Sequence, residues 1–202
     1  QLKVYDETWS LVQQRISLLL NNGVGGLVLV ILVLFLFMHG RVAFWVAVGI
    51  PVSFMATLMI MYLAGGSINI VSLFALIMAL GIIVDDAIVV GEDALAHHEM
   101  GESHLEAAEG GAHRMLAPVT ASSITTIAAF VPLMMIGGEM GNILFAIPLV
   151  IIAVIIASLI ESFAVLPGHL RHAFYNMPPP KPASLRFRLD SAIDHFRNHH
   201  FR

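Results

Sequence analysis

Long runs of apolar residues, separated by short polar turns, dominate the chain. They come in blocks rather than in strand-like alternation, and most blocks approach the roughly 20 residues with which an α-helix crosses a bilayer. A transmembrane β-barrel would instead show alternating segments of about ten residues. The pattern predicts an all-α membrane protein, a bundle of five transmembrane helices with a C-terminal interfacial amphipathic helix. The predicted spans are residues 24–38, 42–63, 69–95, 115–136 and 143–166.

The segments that flank the bundle are more polar. Residues 1–22 predict a lead-in on the periplasmic side with an interfacial helix, and residues 23–167 form the bundle. Residues 168–183 are rich in proline, which predicts a stiff linker. Residues 184–202 repeat apolar side chains at helical spacing between arginines, which predicts a helix on the cytoplasmic membrane surface.

A shorter helix is predicted in the polar connection between the third and fourth spans. Ser103 and Glu106 have the spacing of a capping box, so a helix should begin at His104. We expect it to end near residue 109, because Gly110 and Gly111 follow and glycine weakens a helix.

Composition supports a membrane protein and indicates its orientation. The chain is 58% hydrophobic and 12% charged, against about 25% charged in soluble domains, and it has no cysteine for disulfides or thiolate metal sites. Lys3 and Arg15 lie on one side of the predicted bundle, and the other eight basic residues lie on the other side. The positive-inside rule therefore places the C-terminal helix in the cytoplasm and the N-terminal end on the opposite side, in the periplasm or the exterior.

The third span contains two adjacent carboxyl groups, Asp85 and Asp86, well inside its apolar run. An aspartate at the centre of a bilayer costs about 2.5–3.5 kcal/mol, so such residues face a bundle interior or a wet cavity. Neighbouring residues of a helix point about 100° apart, so the two carboxyl groups face different surroundings. Gly81 precedes Asp85 by one turn and leaves room there, while Glu92 continues the same face.

Two interpretations of this pair stay open on the residues alone. The aspartates form a proton relay and titrate as a coupled unit. Alternatively, they only hold helices together through hydroxyls of the fourth span, such as Thr120 and Ser123, or they stay protonated without a role. Glu161 is interpreted as a snorkelling or capping carboxylate near the end of its span, outside the relay.

Other chemistry finds little support. No lysine or arginine lies within the predicted spans, so a cation that pairs with the aspartates would come from outside these residues. None of the ten histidines lies in the middle of a span, and His169 with His172 has no third ligand nearby, so no metal site is expected. No phosphate-binding loop is present, and no nucleic acid is expected as a partner.

The motif GIIVDDAIVVGE at residues 81–92 resembles the fourth transmembrane helix of resistance-nodulation-division (RND) efflux permeases, in the hydrophobe/amphiphile multidrug branch. The similarity extends to residues 41–51, 66–69, 117–138 and 161–167, which resemble turns and helices around it.

The resemblance implies that the five spans are helices two to six of a twelve-helix permease, followed by its cytoplasmic connector helix. It implies an exporter driven by the proton-motive force, a secondary transporter rather than an enzyme, with protons as coupling ions and no other cofactor. Asp85 and Asp86 would be the proton-carrying pair, with Gly81, Glu92, Thr120 and Ser123 as candidates for relay or packing support. Their lysine partner would lie on a helix of the second half.

The implied partners are the rest of the permease in a homotrimer, a periplasmic adaptor and an outer-membrane channel. The heavy-metal branch normally lacks the double aspartate, which argues against metal export. Two alternatives remain: an RND-like permease for lipid handling or assistance of protein export, and a non-transporting membrane scaffold.

Overall fold

The structure, a computed structural model, describes residues 3–175 and residue 177. These residues form helices and no strand, which confirms the all-α prediction for them. In chain order the helices are α1 (Lys3–Phe37), α2 (Gly40–Leu63), α3 (Ile70–Glu99), α4 (His104–Met134), α5 (Gly138–Leu144), α6 (Ala146–Ile160), a π-helical turn (Glu161–Val165) and α7 (Leu166–Tyr175).

Five membrane-length segments occur among the described residues, as the hydrophobic pattern predicts. Four of them belong to α1, α2, α3 and α4, and the fifth is the nearly continuous run Gly138–Tyr175. Helix α7 carries this run into the segment predicted as a linker. The predicted surface helix, residues 184–202, lies outside the described residues, and the division into domains stays a prediction.

Side-chain caps define where two of the long helices begin. Asn69 accepts a hydrogen bond from the backbone N–H of Ser72, whose hydroxyl accepts one from the N–H of Asn69. Ser103 and Glu106 form the same reciprocal box at the start of α4, as their spacing predicts. Each box satisfies backbone donors that a helix start leaves without partners.

The predicted end of the short helix at Gly110 and Gly111 is wrong, because α4 continues without a break to Met134. Gly111 instead lies against α3: a β-carbon built on it would lie 2.7 Å from the Cβ atom of Ala94 and 3.0 Å from its Cα atom. The glycine therefore allows two helix backbones to approach closely, as small residues do in membrane bundles.

Helix α3 forms the centre of the bundle and contacts α1, α2, α4, α6 and α7. One side of it carries small residues that are fully buried, namely Ala75, Ala79 and Ala94. Bulky side chains of α2 and α6, including Ile50, Ile151 and Ile155, fill the remaining core. Helix α1 packs against α2 and α3. Because one side of α3 is packed against its neighbours, the residues on its opposite side are the ones that remain exposed.

Candidate functional site in helix α3

Asp85 and Asp86 point in different directions, as their adjacent positions on a helix require. Asp85 is exposed, whereas Asp86 is half-buried between α3 and α6. The hydroxyl of Ser158 in α6 donates to Oδ2 of Asp86 at 2.9 Å and lies 3.3 Å from the carbonyl oxygen of Ile83. Ser158 is 1% exposed, so this hydrogen bond is formed inside the bundle.

The hydroxyl partner of Asp86 comes from α6 rather than from the fourth span. Ser123 in α4 is buried and Thr120 is half-buried, yet within the described residues neither donates a hydrogen bond to an aspartate. The hydroxyls of Thr125 and Thr126 bond to carbonyls of their own helix, one turn earlier. The structure therefore does not bring the hydroxyls of α4 together with the carboxyl pair.

Asp85 belongs to an exposed stripe along the outer side of α3. The members of this stripe follow one another at intervals of three or four residues, so they share one helix face. They are Phe74, Met78, Gly81, Asp85, Val89 and Glu92. A β-carbon built on Gly81 would meet no atom within 4 Å outside its own helix backbone. The stripe thus combines apolar side chains with two carboxyl groups and an open position at Gly81.

A second acidic position, Asp93, is neutralised within the chain. Nε of Arg114 in α4 donates to Oδ2 of Asp93 at 2.7 Å. Arg114 also lies 3.7 Å from the carboxylate of Glu102, and Nδ1 of His97 lies 3.6 Å from Asp93. This network engages the arginine of α4, so that it is not a partner of Asp85 or Asp86.

Glu161 is buried, so the interpretation as a snorkelling carboxylate is wrong, although the residue does occupy the C-cap position of α6. It is 5% exposed and begins the π-helical turn. Its carboxyl lies against Gly49 of α2, where an added β-carbon would contact Oε1 and lie 2.6 Å from Cδ. Because glycine has no side chain, the α2 backbone leaves room for the carboxyl group inside the bundle.

Sequence reasoning passed over Ser158 and Gly49, the residues against which the carboxyl groups of Asp86 and Glu161 lie. The sequence did contain a signal for Ser158. An otherwise apolar segment carries polar residues at helical spacing, namely Ser158, Glu161 and Ser162. Gly49 gave no such signal, since a single glycine in a membrane helix is common. Within residues 3–175, no three His, Cys, Asp or Glu side chains are grouped so as to hold a metal ion.

Comparison with known proteins finds one matching family and many similar sequences. The model of the AcrB/AcrD/AcrF family matches residues 1–176. The multidrug resistance protein MdtC of Escherichia coli is 41% identical over 140 residues, which is 69% of this chain and 14% of that protein. MdtC of Photorhabdus laumondii is 34% identical over 187 residues, 92% of this chain and 18% of that protein. The chain thus spans under a fifth of the length of these relatives.

Proposed function

Because the chain belongs to the AcrB/AcrD/AcrF family of RND efflux permeases, we propose that it is the first-half transmembrane part of a proton-driven exporter of drugs or other amphiphiles. Members of this family are multi-pass proteins of the inner membrane that transport rather than catalyse. In the proposal, the five spans are helices two to six of the permease, with the N-terminal end periplasmic and the C-terminal end cytoplasmic.

One observation carries the proposal: Asp86 is held by a buried hydroxyl, while its neighbour Asp85 lies on a face that the described residues leave open. A carboxyl group in a membrane-length helix is costly unless it has a partner or a function. The exposed stripe offers a surface for a further helix, and the open position at Gly81 leaves room for a long side chain. In the proposal, the lysine-bearing helix of the second half packs there.

The proposed mechanism depends on the negative charge that Asp85 and Asp86 lose when they bind protons. When Asp85 and Asp86 are ionised, they attract the lysine of the second half. Protonation from the periplasmic side neutralises them, the attraction weakens, and the helices shift. Proton release to the cytoplasm restores the contact. This exchange would drive the periplasmic part of the permease, with protons as coupling ions, in a homotrimer that works with a periplasmic adaptor and an outer-membrane channel.

Ser158→Ala tests whether the bond to Asp86 matters for transport. The variant removes a buried donor to a carboxyl group, and such a bond contributes about 1.5–3 kcal/mol when the acceptor is charged. In a full-length permease that carries this segment, we expect drug efflux to fall severalfold at equal expression. Efflux of a fluorescent amphiphilic dye from cells measures the change.

Ser122→Ala is the matched control, since Ser122 of α4 is exposed and its hydroxyl donates no hydrogen bond within the described residues. We expect it to retain the efflux of the unmodified permease. Equal efflux from both variants would show that Ser158 does not support the relay.

A further inference from the structure

The strongest feature that the proposed mechanism does not use is the buried carboxyl group of Glu161. It is 5% exposed, and within the described residues no hydrogen bond or ion pair satisfies it. Glu161 begins the π-helical turn that separates α6 from α7. Such turns are rare and occur frequently at functional sites.

Helix α2 receives this carboxyl group at a position without a side chain. A β-carbon on Gly49 would contact Oε1 of Glu161 and would lie 2.6 Å from Cδ and 3.0 Å from Oε2. Gly49 is itself buried, so the carboxyl lies between two helices rather than at the surface. The bundle therefore removes most of the water that would solvate a negative charge on this carboxyl group.

Two hydroxyl groups on the same pair of elements also lack partners. Oγ of Ser53 and Oγ of Ser162 are buried and have no hydrogen-bond partner in the part of the chain that the structure describes. Ser53 lies one turn after Gly49 in α2, and Ser162 follows Glu161 in the π turn. A buried hydroxyl without a partner is uncommon, because removing it from water costs free energy. Polar groups with unused bonding capacity are thus concentrated where α2 meets the π turn.

Among the described residues, no basic side chain forms an ion pair with Glu161. The π turn contacts α2, α3, α4, α6 and α7. In α2 the ionisable residues Arg41 and Tyr62 are exposed at its ends, and α6 has none. On the other three helices, the ionisable side chains that are at least partly buried are Asp86, Asp93, His97, His98, Arg114 and His169.

The possible cations in this set have other contacts. Arg114 and His97 contact Asp93. The ring of His169 stacks on Trp45 with centroids 4.0 Å apart, and His98 stacks on Phe174. A buried carboxylate without a cation is very costly, whereas a neutral carboxylic acid is tolerated, so a carboxyl group at this position is suited to binding a proton.

Glu161 is also connected to the aspartate pair. It lies one turn after Ser158, the residue that donates to Asp86, and both are buried in the same helical run. Two carboxyl groups on packed helices influence each other, because a negative charge on one disfavours a negative charge on the other. We therefore expect a change in the charge of Asp86 to alter the proton affinity of Glu161.

We propose that Glu161, seated against Gly49 at the π turn, is a further proton-binding site that loads and releases a proton as the charge of Asp86 changes. This inference rests on the proposed function, in which Asp86 is protonated and deprotonated during export. The proton moves between the carboxyl group and water, and no other bond is made or broken. The π turn positions the site, and the bare α2 backbone gives the carboxyl room.

Infrared difference spectroscopy on a full-length permease that carries this segment tests the proposal directly. The protein is reconstituted in lipid, and spectra are compared between low and high pH in H₂O and D₂O. We expect a carbonyl band of a protonated carboxyl group that responds to pH, shifts in D₂O and is absent in Glu161→Gln. The band should remain in Glu161→Asp, which keeps a carboxyl group and controls for folding.

Transport by the same variants provides a second readout. We expect proton-coupled efflux from Glu161→Gln to fall severalfold, with an altered dependence on pH. If Glu161→Gln left both the pH profile of efflux and the carboxyl spectrum unchanged, the inference would be overturned, whether or not total efflux fell. If Asp85→Asn and Asp86→Asn retained proton-coupled efflux, the proposed function itself would fail, whatever the Glu161 band showed.

Discussion

Asp85→Asn and Asp86→Asn, introduced separately into a full-length permease that carries this segment, are each expected to reduce drug efflux to the level of cells without the permease. Asparagine has nearly the same shape as aspartate but can neither bind the transported proton nor carry the charge that attracts a lysine. Asp86→Asn still offers an amide oxygen to Ser158, so the bundle should remain assembled while coupling is lost. Dye efflux at equal expression is the measurement.

Glu109→Gln is the control for this pair of variants. Glu109 is an exposed carboxylate of α4 that makes no hydrogen bond or ion pair within the described residues. We expect this variant to keep normal efflux. Normal efflux from Asp85→Asn or from Asp86→Asn would remove that residue from the relay.

Gly111→Ala and Gly168→Ala are expected to change stability in opposite directions. Both glycines are helical, so alanine improves helix propensity at each site by up to about 1 kcal/mol. At Gly168 the new methyl group meets no atom within 4 Å outside its own helix backbone, so the gain remains. At Gly111 it would lie 2.7 Å from the Cβ atom of Ala94 and 3.0 Å from the backbone, which forces α3 and α4 apart.

Overpacking of this kind costs about 1–3 kcal/mol, and the upper end applies here because the opposing atoms include helix backbone. Heating the purified full-length variants and following the fraction that remains monodisperse on size-exclusion chromatography measures the effect. Equal or higher stability of Gly111→Ala would contradict the assigned contact between α3 and α4.

The sequence predicts the helices well because long apolar runs of membrane-spanning length are a strong signal. Five membrane-length segments and the capping box at Ser103 follow from local pattern alone. The continuity of α4 does not, because whether Gly111 ends a helix or receives a neighbour depends on Ala94 in another helix. At Gly111 the packing against α3 outweighs the low helix propensity of glycine.

For the carboxyl groups too, the local sequence predicts their positions but not their contacts with other helices. Their placement in one apolar span identifies Asp85 and Asp86, and their different orientations follow from helix geometry. The partner of Asp86 could not be inferred, because Ser158 lies 72 residues away and hydroxyls were closer in sequence on α4. The burial of Glu161 depends on Gly49, a residue with no chemical signal of its own.

Proton movement in proteoliposomes tests the central claim most directly. A full-length permease that carries this segment is reconstituted with a pH-sensitive dye inside, a pH gradient is imposed, and ethidium is added as the transported amphiphile. We predict ethidium-dependent proton flux through the unmodified permease and none through Asp86→Asn. Ethidium transport without proton movement, or equal proton flux through Asp86→Asn, would contradict the assignment of α3 as the proton-carrying helix.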